Sequence, residues 1–396
     1  MSLVHFAVAL TAASIVLYGA MMALFAREIG RRGVRRRPAP IGRAPRVTVF
    51  KPLAGDDDDL EENLESFARI EYPCFEMLLG VASSHDPAYE VAMRFVARHT
   101  ELVARVVLTE ADAATNPKVA QLVCLERMAT GDLYVISDSN VRVRPSYLWS
   151  LVVELSNPCI GMVTSLFVGA GERTIGAALE NLQLCASTAP GLLAMNAVTG
   201  HPFTVGKSMA IRRRDLAKLG GFSPVGQVLA EDHALGRRFL AAGFLARTSL
   251  DAVENRNVAC TVMRTIERHT RWSKMRRALF PWPFVLEPLM TPIAVASLAV
   301  AVAPCTLTAV VLAVVCVLQT AGALLTVRVL RGSWLAWWYA PLEVVRSYVA
   351  LLCWVRACAS RRIVWRGHAF VLKRGTTIVP VASPSGRAAT RARATA

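Results

Sequence analysis

Four places in the chain carry residues that could do chemistry on a charged substrate. In "LYVISDSNVRV" (133–143) a short apolar run stops at Asp138, followed by Ser139 and Asn140. A carboxylate at the end of a core strand can hold a divalent cation, and Asn140 offers a neutral amide oxygen. Both are hard donors that suit Mg²⁺ or Mn²⁺. A second carboxylate, Asp86, follows another apolar run in "FEMLLGVASSHDP" (75–87). Glu231 and Asp232 sit together in "AEDHALGRRF" (230–239), where one of them could take the proton of an attacking alcohol. In "ERHTRWSKMRR" (267–277), Arg268 and Arg271 have helical spacing and could grip a diphosphate together, with Trp272 beside them. Each cluster also has a plainer reading. An aspartate at a helix start often only caps it, and a basic helix can simply lie on a membrane surface. The acidic run "DDDD" (56–59) reads as a helix start favoured by the dipole rather than as a calcium site.

These groups need a scaffold, and the pattern around them supplies one. Strands read in 46–55 and 75–87, each ending in a loop, and in 102–108 and "LYVISDS" (133–139), and they alternate with helical stretches, notably "NPKVAQLVCLERMATG" (116–131). Such alternation argues a parallel α/β sheet, which binds nucleotides at the carboxyl ends of its strands. Asp86 and Asp138 both fall at such ends.

Composition adds a membrane component. The chain has 396 residues, 54% of them hydrophobic, and a net charge of +16 from 45 Lys+Arg against 29 Asp+Glu. The excess lies in short basic runs beside apolar segments, which read as cytoplasmic membrane anchors rather than as a nucleic-acid surface. Residues 2–25 carry no Asp, Glu, Lys or Arg and are long enough to cross a bilayer. The arginines that follow place the next segment in the cytoplasm. A second charge-free block, 288–326, reads as a hairpin of two spans broken near Pro304. The segment "GSWLAWWYAPLEVVRSYVALLCWVRACASRR" carries Glu343 and Arg346 and reads as a membrane-surface or re-entrant helix. Nine cysteines without a C-x-x-C pair read as small apolar side chains in a reducing compartment. The last residues, "SPSGRAATRARATA", read as disordered.

Taken in order, "FKPLAG", "HDPA", "NPKVAQL", "SDSNVRV", "GKSMAIRR", "AEDHALGRRF" and "RHTRW" resemble the ceramide glucosyltransferase family and its bacterial relatives. These are family-2-like enzymes with the D, D, D, (Q/R)xxRW signature, matched here by Asp86, Asp138, Asp232 and Arg268 to Trp272. The resemblance implies an α/β GT-A, Rossmann-like catalytic domain over 45–285. Around it would lie a transmembrane helix at 1–26, a basic cytoplasmic linker at 27–44, membrane and interfacial helices at 286–370, and a tail at 371–396. It implies a multi-pass membrane enzyme of a bacterial inner membrane, its catalytic domain cytoplasmic, moving a sugar from a UDP-sugar to a membrane lipid with inversion. By carry-over, Asp86 contacts the nucleotide and Asp138 holds the divalent metal. Asp232 is the general base, and Arg268, Arg271 and Trp272 cradle the diphosphate and wall the acceptor site. Lys118 lies near the donor, and Glu231 joins Trp272 on the acceptor side. The third position of Asp-x-Asp is not reliably acidic in that family, so Asn140 need not be a loss. The alternatives are a hopanoid glycosyltransferase using UDP-N-acetylglucosamine, a processive polysaccharide synthase, and an inactive membrane scaffold. "TNPKVAQL" and "GKSMAIRR" look nearer the ceramide branch.

Overall fold

The computed structural model describes residues 3–33, 44–55, 57–200, 203–365 and 368–381. Much of the basic linker expected at 27–44, Asp56 of the acidic run, and the tail from residue 382 lie outside the described residues. Leu3–Arg32 is one helix, α1. Then Val47–Leu53 (β1), Leu60–Ala68 (α2), Phe75–Val81 (β2), Pro87–Arg98 (α3), Val103–Leu108 (β3), Pro117–Met128 (α4) and Leu133–Ser137 (β4) alternate along the chain. The four strands lie in the order β3-β2-β1-β4, all parallel. Each helix returns the chain to the same end of the sheet, so the residues after β1, β2 and β4 collect at one edge. Alternate residues serve two cores. Val49, Met77 and Val135 pack beneath α2 and α3, while Phe50, Leu78 and Ile136 pack against α4.

The second half departs from the parallel sheet expected from the alternation. After Val141–Arg142 (β5) and Tyr147–Leu155 (α5) come Ile160–Ala170 (β6), Ile175–Gln183 (α6) and Ala189–Thr199 (α7). Ser208–Arg212 (β7), Arg213–Lys218 (α8), Glu231–Ala241 (α9) and Leu245–Arg256 (β8) follow. The sheet continues β4-β7-β6-β8-β5, with β7 antiparallel to both β4 and β6. The reason lies in the helical run between β6 and β7. It packs on α1 through α7 and on the C-terminal helices through α6, so it does not carry the chain back along the sheet. The chain re-enters at the edge it left, with Ser208 opposite Ser137. The loop before β7 therefore faces Asp138.

The rest of the chain is helical and wraps this core. Val262–Leu279 (α10), Pro281–Leu286 (α11), Pro292–Val302 (α12), Thr306–Arg331 (α13) and Leu342–Ala359 (α14) precede three short strands. Helices α1 and α13 are long and apolar enough to cross a membrane. The expected break near Pro304 is present, between α12 and α13, and the first arm is long enough to cross only when α12 is counted together with the segment 281–290 before it. Helix α12 has 11 residues and meets α11 and the turn after it at a 71° bend. At 1.5 Å per residue it covers about half of a ~30 Å hydrocarbon core. Helix α14 packs along α10, and its Glu343 and Arg346 are turned inward. Arg346 Nε is 2.7 Å from Glu343 Oε2, and Gln319 of α13 donates to Glu343 Oε1 at 2.7 Å. The cysteine reading holds for Cys124, Cys185, Cys260 and Cys353, which are buried, whereas Cys159, Cys305 and Cys358 are exposed.

The apolar helices are joined to the sheet domain rather than hung from it. Phe25 of α1 and Ala323, Val327 and Leu330 of α13 share one cluster with Leu166 and Val168 of β6. Arg331 pairs with Glu172 at 2.8 Å, and Arg32 with Glu154 at 3.1 Å. Beyond α14, Arg362–Trp365 (β9), His368–Leu372 (β10) and Ile378–Pro380 (β11) form a small antiparallel sheet. It reaches back to the loop before α9: Leu229 N–H donates to Thr376 O and Ile378 N–H to Gln227 O, both at 2.9 Å.

One charge lies at the centre of the main sheet. Lys51 of β1 is fully buried. Its ammonium donates to the backbone oxygens of Asp138 (2.5 Å) and Val141 (3.3 Å) and sits 4.3 Å from the centre of the Phe67 ring. Burial pushes its pKa down to about 7, against the pull of Asp138 and Asp57. Lys51 thus pins the turn that carries Asp138. Replacing it with methionine (Lys51→Met) keeps the volume but removes the charged donor from both carbonyls, leaving Asp138 O with only Val141 N–H, at about 1.5–3 kcal/mol for each hydrogen bond to a charged group. A clear drop in the unfolding temperature of the purified protein in detergent is expected; an unchanged transition would refute this role for Lys51.

Candidate active site

The catalytic edge is organised around Asp138, the first residue after β4. Its Oδ1 is 2.7 Å from Lys118 Nζ and its Oδ2 is 3.2 Å from Lys207 Nζ. Burial disfavours its charge, but Lys118 and Lys207 outweigh that and hold the carboxyl well below the usual range. The Lys207 ammonium also donates to Asn140 Oδ1 at 3.1 Å, so one cation bridges the two oxygens of the Asp-Ser-Asn turn. That bridging ammonium marks where a divalent cation would find Asp138 and Asn140 together. The donor set is hard oxygen throughout and fits Mg²⁺ or Mn²⁺. Among the described residues no group of three or more His, Cys, Asp or Glu is arranged for a metal, so such a cation would draw its remaining ligands from the substrate's phosphates and water.

Lys118 carries the charge chain onward. It follows the capping residue Asn116, whose side chain accepts from Lys118 N–H at 2.9 Å and Val119 N–H at 3.2 Å, so the first turn of α4 is fixed in direction. Its ammonium is 3.0 Å from Glu231 Oε1 and donates to Gly206 O at 3.0 Å. Burial works against the ammonium, yet Asp138 and Glu231 hold its pKa above the ordinary lysine value. Asn116 Nδ2 reaches the other oxygen of Glu231 at 3.3 Å.

Asp232 stands next to Glu231 in the first turn of α9. Its Oδ2 accepts from Gly206 N–H at 2.5 Å and its Oδ1 from His233 N–H at 2.7 Å. It is half-buried and does not act as the helix cap, a position held by Ala230. Burial first, and then the Glu231 charge, push its pKa up to about 7, with Lys118 opposing. Gly206 touches both partners: a Cβ there would lie 2.9 Å from Lys118 Nζ and 3.1 Å from Asp232 Oδ2.

Asp86 lies apart from this chain. It caps α3, accepting from Ala88 N–H at 2.9 Å, and also accepts from Gly55 N–H at 2.8 Å. It thereby ties the loop after β2 to the loop after β1. Arg268 is brought close to the metal turn, since it and Asn140 line one small cavity together with Asp57, Arg256 and Arg264. Arg271 and Trp272 are half-buried one turn further along α10. The Trp272 ring stands edge-on to His269 at 5.1 Å and packs against the first core. The acidic run does more than start a helix. Asp58 accepts from Val258 N–H (2.7 Å) and Ala259 N–H (3.0 Å), Asp59 pairs with Arg142 and Arg256, both at 3.3 Å, and Asp57 accepts from Ser139 Oγ–H. The run is a strap across the site, while α2 begins only at Leu60.

Sequence reasoning assigned no role to Lys51, Lys207, Asn116, Gly206 or Glu180. Glu180 of α6 is wholly buried, 3.1 Å from Arg268 Nη1 and 3.2 Å from His269 Nε2. Burial opposes its charge, but His269 and Arg268 hold its pKa at about 2. It fixes the helix turn that presents Arg268. The signal existed: a lone acid in the apolar run 175–186, and a lone lysine inside an apolar strand, both ask for a buried partner.

Comparison with known proteins agrees with this arrangement. Residues 7–378 match the family described as glycosyl transferase family 21. Ceramide glucosyltransferase 1 of Caenorhabditis elegans is 30% identical over 275 residues, 69% of this chain and 58% of that protein. Ceramide glucosyltransferase 3 of the same organism is 28% identical over 246 residues, 62% of this chain and 53% of that protein. The chain thus spans little more than half the length of these relatives. Of the two lipid branches weighed from the sequence, they favour the ceramide one. Among solved structures, the mannosyltransferase PcManGT from Pyrobaculum calidifontis, in complex with GDP-Man and Mn²⁺, superposes with a TM-score of 0.55 at 21% identity. That match covers 89% of this chain and 99% of that one. The fold is GT-A, with apolar helices at both ends of the catalytic domain, and the chain belongs to glycosyl transferase family 21.

Proposed function

We propose that the protein transfers a single sugar, glucose, from a UDP-sugar to the hydroxyl of a membrane lipid, ceramide, with inversion at the anomeric carbon. The observation that carries this reading is the continuous charge chain Asp138–Lys118–Glu231 ending beside Asp232. It joins a cation-binding turn to a carboxylate with a pKa near neutrality, the two poles that an inverting transfer needs. The ceramide glucosyltransferase relatives support the acceptor, and α1 and α13 support a membrane enzyme.

In this reading, the leaving diphosphate lies over Asp138 and Asn140, with Lys118, Lys207, Arg268 and Arg271 neutralising the charge that builds on it. A divalent cation held by Asp138 and Asn140 would supply further charge stabilisation there. Asp86 anchors the nucleotide end through the two loops it joins. Asp232 takes the acceptor's proton at its carboxylate, and Gly206 N–H orients that carboxylate. Glu231 and Trp272 bound the acceptor side. Membranes containing the protein, given labelled UDP-glucose, UDP-galactose or UDP-N-acetylglucosamine with ceramide, are expected to yield one lipid-linked sugar, with glucose the donor sugar used. A ladder of products would instead indicate a polymerase, and no product with any donor would overturn the assignment.

Three variants test the roles. Asp232→Asn is expected to lower transfer about a hundred- to ten-thousand-fold while UDP still binds, the usual worth of a positioned base; near-normal turnover would remove Asp232 from that role. The pH profile gives a second check. Because Asp232 must be ionised to act and titrates at about 7, kcat/KM is expected to rise with pH through neutrality. Glu231→Gln removes a charge that raises this pKa, so the rising limb should move to lower pH. Gly206→Ala forces a methyl group against Lys118 and Asp232 and is expected to lower kcat by about ten- to a hundred-fold, as small misplacements do. Stopped-time product assays at saturating donor would check it.

A further inference from the structure

A cluster of three aromatic rings adjoins Asp232 and takes no part in the chemistry described so far. Phe203 and His233 are stacked at 4.7 Å with 20° between their planes, and Phe280 closes on both, at 5.5 Å and 5.4 Å. The three come from different parts of the chain. His233 follows Asp232 directly and donates its N–H to that carboxylate. Phe203 is held by α7, where Asn196 Oδ1 accepts its N–H at 2.8 Å. Phe280 is the hinge residue between α10 and α11. All three are half-buried, so the cluster is neither core nor open surface.

Outward from the cluster the chain turns apolar and uncovered. On α11, Trp282 is 82% exposed, Val285 58% and Leu286 57%; on α7, Val198 is 69% exposed. Helix α7 packs along α1, and α11 leads through the 71° bend into α12, so both flanks adjoin the apolar helices. Contact with a bilayer alone would account for Trp282, Val285 and Leu286. It does not account for rings that continue inward to a catalytic carboxylate. Nor does it explain a half-buried histidine with no hydrogen-bond partner on its ring among the described residues. Burial foremost, and Arg237 as well, push the His233 pKa down to about 4, so the ring is neutral at neutral pH and offers one donor and one acceptor.

We infer that the Phe203–His233–Phe280 cluster is the mouth through which an acceptor lipid reaches Asp232 from the bilayer. A hydrocarbon chain lies across Phe203 and Phe280 and runs out over α11, where its burial is favourable. The neutral His233 ring meets the polar head, whose hydroxyl then points at the Asp232 carboxylate. A soluble sugar acceptor would have no use for the apolar track, and an acyl chain without an alcohol head would have none for His233. The occupant is therefore an amphiphile with an alcohol head. This site rests on the proposed transfer to a membrane lipid and adds where that lipid sits.

The test uses the full chain in lipid nanodiscs with UDP and a ceramide carrying a photoreactive diazirine in its acyl chain. Crosslinks mapped by mass spectrometry are expected on Phe203, Phe280 or α11, and to be competed away by unlabelled ceramide. In turnover assays, Phe203→Ser and Phe280→Ser are expected to raise the KM for long-chain ceramide about tenfold, the effect of losing one good apolar contact. No matching rise should appear in the donor KM, and short-chain ceramide should be affected less. His233→Phe keeps the stack but removes the polar edge, and is expected to lower kcat more than it raises KM. Crosslinks confined to other faces, or a wild-type KM in both serine variants, would overturn the site. If the unsubstituted protein crosslinks ceramide at the cluster competitively yet transfers no sugar to it, the site stands and the acceptor assignment fails.

Discussion

The catalytic edge depends on one ammonium. Lys118 is shared by Asp138, which ends a parallel strand, and Glu231, which begins a helix almost a hundred residues later. Placing three charged groups in a half-buried edge is costly unless each meets an opposite charge or a fixed dipole. Lys118 does this for both carboxylates and also takes the Gly206 carbonyl, so the loop before β7, the start of α9 and the end of β4 are fixed relative to one another. Asp232 is the residue left over. Its neighbour's charge is met directly by Lys118, while its own is met by two backbone N–H groups and by Lys118 without an ion-pair contact, so burial and the Glu231 charge prevail and raise its pKa. The near-neutral carboxylate is thus a by-product of how the other charges are paired.

A good part of this was legible in the residues. Asp86 and Asp138 fall at one edge because parallel βαβ units bring them there, and that periodicity is plain in the sequence; Asp232 and Arg268 reach the same edge through α9 and α10, beyond the antiparallel β7. The family resemblance carried the fold and the lipid branch. What could not be read was pairing across long sequence distance. Nothing local in "GKSMAIRR" says that its lysine bridges Asp138 and Asn140, and nothing in "GAALENLQ" says that its glutamate holds Arg268. The antiparallel entry of β7 was hidden for a related reason. It follows from α6 and α7 packing on other helices, a tertiary choice that strand and helix patterns do not encode. Charge-free length likewise did not show that α12 is a short arm bent by 71° against the segment before it, because composition reports hydrophobicity and not the place of a bend.

The apolar helices contribute to the catalytic core as well as to the membrane. The C-terminal part of α1 and the second half of α13 share a cluster with β6 and α6, each secured by an arginine at its end. The polar set Gln319–Glu343–Arg346 performs the same service between α13 and α14. With both faces of the domain's helical side so held, the edge bearing Asp232 and the aromatic cluster is fixed relative to α1 and α13, the two helices long and apolar enough to cross a membrane.

The small C-terminal sheet has a consequence for how the molecule is made. The loop 227–230 that delivers Glu231 and Asp232 obtains its backbone partners from Thr376 and Ile378, on the far side of every apolar helix in chain order. During synthesis the acidic corner therefore waits, unbraced, until the helices have entered the bilayer and the final strands have emerged. Biogenesis acts as a built-in interlock: a chain stalled before that point carries Glu231 and Asp232 but not the brace that sets them.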